Sequence, residues 1–163
     1  MSGWTLTINI MADTYCQFYL HFVFAVQSRL CLIHEGWKPQ LYHYMSGIIE
    51  RQGHKCYSIN GMPDHVHLLI SMNPKQAPSD LMYHVKRSSS LWINEKKFIA
   101  GRFSWQEGFG GFSYGKSQLP DIIRYIERQP DHHKKKTFIE EYKAFLRLYN
   151  IEFDERYIYK SID

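Results

Sequence analysis

Residues His54–Met72 read HKCYSINGMPDHVHLLISM, and this stretch decides the fold. His54 to Ile59 has the character of a strand. Asn60-Gly61 through Pro63-Asp64 is turn chemistry: glycine enters the left-handed backbone region freely, proline fixes φ, and Asn and Asp bond their own backbone. His65 to Met72 follows as a short apolar strand. The two strands predict a hairpin, and the segments on either side predict helices. Trp37–Gln52 places Leu41, Tyr44, Met45, Ile48 and Ile49 at the spacing of one helix face, with Gly53 as a terminator. Beyond the loop Asn73–Pro78, Ser79 is a natural N-cap for a helix to about Glu95 with Leu81, Val85 and Trp92 inward.

Further outward, Tyr15–Val26 alternates with period two. Cys16, Phe18, Leu20, Phe22, Phe24 and Val26 share one face, and Gln17, Tyr19 and His21 share the other. This pattern predicts a strand with one buried face. Phe103–Phe112 is strand-like but rich in glycine. The order strand, helix, strand, strand, helix, strand is the ferredoxin-like split βαβ arrangement, an α+β class with an antiparallel sheet. Additional C-terminal helices follow. Ser117 caps one that carries Leu119, Ile122, Ile123 and Ile126 on one face, with Pro120 in its first turn. Thr137 with Glu140 forms a capping box for another, to about Tyr149. The charged break Asp131–Lys136 is too short to link domains. One domain over residues 13–160 is expected, preceded by an N-terminal extension over 1–12, with Met11 as a possible alternative start.

The chain has 163 residues, 44% of them hydrophobic and 16% aromatic, which supports a real core and excludes global disorder. The net charge is +4 and the pI near 8.9, compatible with a polyanionic partner without establishing one. Three cysteines, Cys16, Cys31 and Cys56, form no CxxC pair. Reduced thiols and a cytoplasmic setting follow as the expectation. No apolar run reaches membrane-spanning length, and Met1–Ile10 lacks the basic start of a signal peptide.

The sharpest chemical signal is Asp64-His65-Val66-His67. Residues two apart on a strand point the same way, so His65 and His67 present two imidazoles side by side, with Val66 toward the core. Such a pair makes a bidentate metal seat; it is also compatible with two ordinary hairpin histidines. A third ligand must come from elsewhere. Tyr125 and Gln129 are four apart and share a helix face at the edge of the apolar stripe. Gln129 offers a neutral carbonyl oxygen, and two imidazoles with an amide oxygen suit Mg²⁺ or Mn²⁺, though the imidazoles alone would also accept zinc. Tyr125 would then be a phenolic nucleophile; an ordinary helix Tyr and Gln is the alternative. Tyr114 and Gln118 have the same spacing, but Gly115 and the cap at Ser117 interrupt them.

His65-Val66-His67 followed by Tyr125-Ile126-Glu127-Arg128-Gln129 resembles the single-tyrosine branch of the HUH transposases, which includes insertion-sequence transposases and REP-associated tyrosine transposases. Gly61-Met62-Pro63-Asp64, Lys86-Arg87-Ser88-Ser89-Ser90, Trp105-Gln106-Glu107-Gly108-Phe109-Gly110 and Gln129-Pro130-Asp131-His132-His133 are similar as well. The likeness spans about Asp13 to Tyr159. It implies a ferredoxin-like sheet, a homodimer in which the tyrosine helix of one subunit can complete the other's histidine pair, and Mg²⁺ or Mn²⁺ as the metal. It implies single-stranded DNA with hairpins as the partner, cut and rejoined through a 5′-phosphotyrosine. By position, His65 and His67 match the metal pair, Gln129 the third ligand and Tyr125 the nucleophile. Lys86, Arg87, Lys96, Lys97, Arg124, Arg128, Lys134, Lys135 and Lys136 are candidate phosphate contacts, though each alone is more ordinarily a solvated charge. Two other classes fit the same residues: a hairpin-binding module without catalysis, and a metal-dependent nuclease that uses water.

Overall fold

The computed structural model describes residues 15–132 and 136–154. The expectations for residues 1–12, for His133, Lys134 and Lys135, and for the tail beyond 154 lie outside these residues. Strands β1 (Tyr19–Ala25), β2 (Lys55–Met62), β3 (His65–Ser71) and β4 (Gly110–Tyr114) form one sheet in the order β2-β3-β1-β4. Every neighbouring pair is antiparallel. Helices α1 (Lys38–Arg51) and α2 (Pro78–Lys96) make the two crossovers, so the split βαβ arrangement is the one expected. Three helices follow: α3 (Leu119–Glu127), the short α4 (Gln129–His132) and α5 (Phe138–Leu148).

The period-two pattern of β1 sends Phe22 and Phe24 to one face, where Val66, Leu68 and Ile70 of β3 join them under α1 and α2. Each fully buried side chain of this kind contributes about 1.5–3 kcal/mol. The opposite face carries Tyr19, Val23, Ala25, Leu69, Phe112 and Tyr114, and it too is buried, under α3 and α5. This differs from the expectation of one wet face. The residues there are mixed in polarity, so alternation reads as exposure, yet the C-terminal helices roof them. The strand also begins later than the alternation: Cys16 and Phe18 are exposed.

The turn into β3 is tighter than its sequence alone suggests: Asn60 and Gly61 pair with His67 and Val66, so β2 runs on to Met62 and only Pro63 and Asp64 lie between the strands. A Cβ on Gly61 would lie 2.1 Å from the His65 carbonyl oxygen and 2.9 Å from Val66 Cα, so only glycine lets the hairpin close there. The glycine-rich stretch after Phe103 is not the fourth strand. It is a strap held to α2 by side chains, with Asn94 bonding both backbone groups of Phe103 and Trp105 Nε1 donating to Ser89 Oγ at 2.9 Å. Gly101 and Gly108 take φ of +82° and +81°, which breaks any extended run; Trp105 makes one isolated antiparallel bridge to Val26, and continuous pairing starts at Gly110.

Two helix starts also differ from expectation. Helix α2 begins at Pro78, whose missing N–H costs nothing in the first turn, so Ser79 is not the cap. Before α3, Gly115 precedes a 3₁₀ turn over Lys116–Gln118, and the Gln118 side chain accepts the Gly115 amide at 2.8 Å. The capping box of α5 is formed as expected, with Glu140 and Thr137 bonding each other's backbone amides.

Candidate functional site

The site sits under the second face of the sheet, where central strand β3 runs beneath α3 and α5. In the register of the sheet His67 lies opposite Val23 of β1 and Asn60 of β2, and His65 lies opposite Ala25 and Met62. Their rings stand 5.1 Å apart, and both are fully buried. Burying imidazoles is costly unless their nitrogens are satisfied. Each ring here has its Nδ1 side engaged. His65 Nδ1 lies 2.7 Å from Asp64 Oδ1, and His67 Nδ1 lies 2.8 Å from His21 Nε2. His21 in turn reaches the Tyr114 hydroxyl at 3.4 Å. Partners of this kind fix the ring orientation and leave Nε2 as the ligand atom.

Both Nε2 atoms meet groups from the helices. Gln129 Oε1 lies 3.1 Å from His65 Nε2. Glu141 Oε1, from α5, lies 2.8 Å from His67 Nε2. Ligand atoms of His65, His67 and Glu141 all fall within 4.8 Å of one another. Two imidazoles, an amide oxygen and a carboxylate are a donor set that suits a divalent cation of the Mg²⁺ or Mn²⁺ kind, and the residues therefore fit the metal that the resemblance implies.

Tyr125 stands beside this seat, its ring 5.9 Å from that of His67. Its hydroxyl bonds both Glu141 and Gln129. Burial foremost, then the Glu141 carboxylate, pushes the phenol well above its ordinary pKa, while Gln129 acts weakly in the other direction. The group is thus held protonated. Burial pushes His21 well below the usual imidazole value, with His67 beside it acting the same way, so His21 is a neutral partner. With Nε2 of His67 given to a cation, the remaining His67 proton sits on Nδ1 and is donated to His21 Nε2.

The structure therefore brings His65, His67, Tyr125 and Gln129 together within one chain. One detail departs from the sequence reading. Tyr125 and Gln129 do not share an unbroken helix at the rim of the packed surface: α3 stops at Glu127, and Gln129 is wholly buried. Pro130 has no N–H, and its ring excludes the carbonyl four residues back, so the helix breaks and re-forms as α4. Asn60 Nδ2 donates to the Glu127 carbonyl at 3.1 Å and pins that break to β2.

Two site residues escape a motif search. Glu141 is an acid set among Phe138, Phe145 and Leu146 on the inner face of an amphipathic helix, and that placement is its only signal. His21 is signalled only by its place on the β1 face shared with Val23 and Ala25. The basic residues fare differently. Lys86 Nζ donates to the carbonyls of Gln106 and Gly108 at 2.6 and 2.7 Å and so ties down the strap. Arg124 pairs with Asp121. Arg87, Arg128 and Lys136 are exposed, but α2 and α3 lie on opposite faces of the sheet, so these side chains do not form one surface. Ser89 is core, and Ser90 Oγ donates to the Arg87 carbonyl within its own helix.

Among the described residues no helix is long and apolar enough to cross a membrane. The model of the family described as "Transposase IS200 like" matches residues 14–129. The ISDra2 transposase TnpA of Deinococcus radiodurans is 26% identical over 120 residues, covering 71% of this chain and 86% of that protein. Two solved structures share the fold. One, described as a candidate transposase from Deinococcus radiodurans R1, has a TM-score of 0.58 at 20% identity and covers 72% of this chain and 95% of its own. The other is a REP-associated tyrosine transposase bound to a REP hairpin, with a TM-score of 0.57 at 14% identity, covering 75% of this chain and 72% of its own.

Proposed function

We propose that this chain, which belongs to the IS200-like transposase family, cuts and rejoins single-stranded DNA with Tyr125 as the nucleophile beside a Mg²⁺ or Mn²⁺ seat made by His65, His67 and Gln129. The observation that carries the reading is convergence: Gln129 Oε1 sits 3.1 Å from His65 Nε2 while the Tyr125 hydroxyl bonds the same Gln129. Nothing in a packed hairpin requires a nucleophile and an imidazole to share one amide. A bound divalent cation would polarise the scissile phosphate and offset charge on its oxygens.

The rest is the work of the chain. The Tyr125 oxygen forms a bond to phosphorus as the bond to O3′ breaks, and the departing O3′ takes up a proton to become a 3′-hydroxyl. The strand is left as a 5′-phosphotyrosine, which conserves the ester, so attack by a 3′-hydroxyl restores DNA without an external energy source. A phenol with pKa near 10 in water is a poor nucleophile at neutral pH, so Tyr125 must be relieved of its proton as the site engages DNA. Hairpin-bearing single strands are the substrate class, in keeping with the REP hairpin held by the structural relative. Arg87, Arg128 and the lysines at 134–136 are the side chains we assign to phosphate contacts. A homodimer acting on DNA in the cytoplasm completes the reading.

The test is a denaturing gel of the protein with labelled hairpin single strands from the sequence flanking its gene, with Mn²⁺ or with EDTA. A metal-dependent covalent protein–DNA band that disappears in Tyr125→Phe is expected. Cleavage without that band, unchanged in Tyr125→Phe, would replace tyrosine chemistry with water-dependent hydrolysis. Binding without cleavage would leave a hairpin-binding module.

A further inference from the structure

His21 sits wholly inside the protein on the inner strand β1. A buried imidazole is costly unless its ring nitrogens are bonded. Its place follows from the register of the sheet. Val23 of β1 lies opposite His67 of β3, and Tyr19 of β1 lies opposite Tyr114 of β4. His21 stands between Tyr19 and Val23, two residues from each, so period two turns it to the face that His67 and Tyr114 share. His67, His21 and Tyr114 therefore form a diagonal across three neighbouring strands. The His21 and His67 rings stack with centroids 5.0 Å apart, and the His21 and Tyr114 rings lie 6.0 Å apart.

The diagonal is bonded in one direction. With Nε2 of His67 given to a cation, the proton of that ring sits on Nδ1, which faces His21 Nε2 at 2.8 Å. His21 must accept there and carry its own proton on Nδ1, which faces the Tyr114 hydroxyl at 3.4 Å. Tyr114 bonds the Tyr149 hydroxyl, and with its proton engaged there it offers His21 a lone pair. Every proton along this chain points away from the seat, and hydrogen bonds aligned head to tail strengthen one another. The other imidazole is held by different chemistry, since His65 Nδ1 faces the Asp64 carboxylate at 2.7 Å. An anion stands behind His65 and a neutral ring behind His67. Packing is the competing role for His21, whose ring also lies 6.0 Å from Phe112, 5.5 Å from Phe145 and 6.5 Å from Tyr125.

We propose that His21 is a positioning residue for the metal seat: it accepts the Nδ1 proton of His67 and so aims His67 Nε2 at the cation, while Tyr114 holds His21 in the tautomer that allows this. The inference rests on the metal seat of the reading above and adds to it two residues that act only through His67. Strand register sets the geometry, so the aim of His67 is fixed by β1 and β4 as well as by its own strand.

The experiment uses the full chain. Mn²⁺ binding is measured by titration calorimetry for wild type, His21→Phe, His21→Gln, Tyr114→Phe and His67→Ala, and urea melts report whether each folds. Phenylalanine keeps a ring in the aromatic packing and removes both nitrogens. Glutamine fills that space worse and restores an acceptor near the place of Nε2. Loss of the partner behind a metal ligand weakens binding by about 10–100-fold. We expect that loss in His21→Phe, most of it recovered in His21→Gln, and a smaller loss in Tyr114→Phe. Packing alone predicts the reverse order for the two His21 variants. A second measurement needs no variant: in wild type saturated with Mg²⁺, NMR of isotope-labelled histidines reports which ring nitrogen carries each proton, and His21 should carry its own on Nδ1. A proton on His21 Nε2 would overturn the proposal, and so would a folded His21→Phe that binds Mn²⁺ as wild type does. His21→Gln as weak as His21→Phe would reduce His21 to packing, and Tyr114→Phe equal to wild type would remove Tyr114 from the chain. In each of these cases, binding by wild type that is lost in His67→Ala leaves the metal seat standing. Wild type that binds no Mn²⁺ would overturn this proposal and the seat beneath it.

Discussion

Replacing Asp64 with alanine should perturb the proposed metal seat without touching any of its donors. The Asp64 carboxylate lies 2.7 Å from His65 Nδ1 and fixes which ring nitrogen faces the seat. Loss of such a partner weakens metal binding by about 10–100-fold. A mid-range loss of about thirtyfold is about 2 kcal/mol. The assay is the stabilisation that Mn²⁺ confers on each protein. At a free concentration of about 100 times the wild-type Kd, wild type gains about 2.7 kcal/mol, whereas a thirtyfold weaker variant gains only about 0.9 kcal/mol. For a chain of this size each kcal/mol moves Tm by about 2–4 °C, so the metal-induced rise should fall from about 5–11 °C to about 2–4 °C. Each protein is compared with its own metal-free form, so any change Asp64→Ala makes to the fold itself cancels. If the Mn²⁺-induced rise in the variant matches that of wild type, Asp64 does not orient His65 and the account of the seat is wrong.

Three further outcomes are expected. Ser89→Ala strips the partner from the buried Trp105 Nε1 and should cost about 1–3 kcal/mol in denaturant melts; a change below about 0.5 kcal/mol would mean the strap is held without this bond. Native protein treated with maleimide near neutral pH should gain two adducts, at the exposed Cys16 and Cys31, and a third only when unfolded, because burial pushes the half-buried Cys56 thiol up to about 11; three native adducts in the intact mass would refute it. Burial lowers Lys86 to about 8 from 10.5, so across that window the unfolded chain holds a proton that the folded chain has lost. Stability should therefore rise with pH from about 8 to 10.5 relative to Lys86→Met, and equal pH slopes for the two proteins in urea melts would show that the ammonium is not desolvated.

Local pattern made much of this legible. The hairpin of β2 and β3, though not the place of its turn, and the helix faces around Leu41 and Val85 are written in short-range spacing, and they suffice for the split βαβ order. His65 and His67 are legible because period two places them together on any strand. The second face of the sheet is not legible. Tyr19, His21 and Ala25 resemble a wet surface until α3 and α5 cover them, and only tertiary packing decides that. The fourth strand was misplaced for a related reason: Phe103 and Trp105 are apolar because they fill the core, and beyond a single bridge between Trp105 and Val26 this stretch does not pair in the sheet. Glu141 was missed because its role depends on where α5 docks, and no spacing ties it to His67. Lys86, read as a free cation, spends its charge on two backbone carbonyls.

Gly61 has no side chain to offer a ligand or a proton, yet the chemistry depends on its bareness. With the His65 backbone 2.1 Å from where a Cβ would stand, any replacement must move the strand that carries both imidazoles. The position therefore tolerates no drift: each amino-acid change there shifts the backbone that carries the histidines even when the histidines themselves are untouched. A chain that loses this glycine disturbs the proposed site while keeping every residue that a catalytic inventory would count. Loss of the proposed function can thus begin at a site that looks inert.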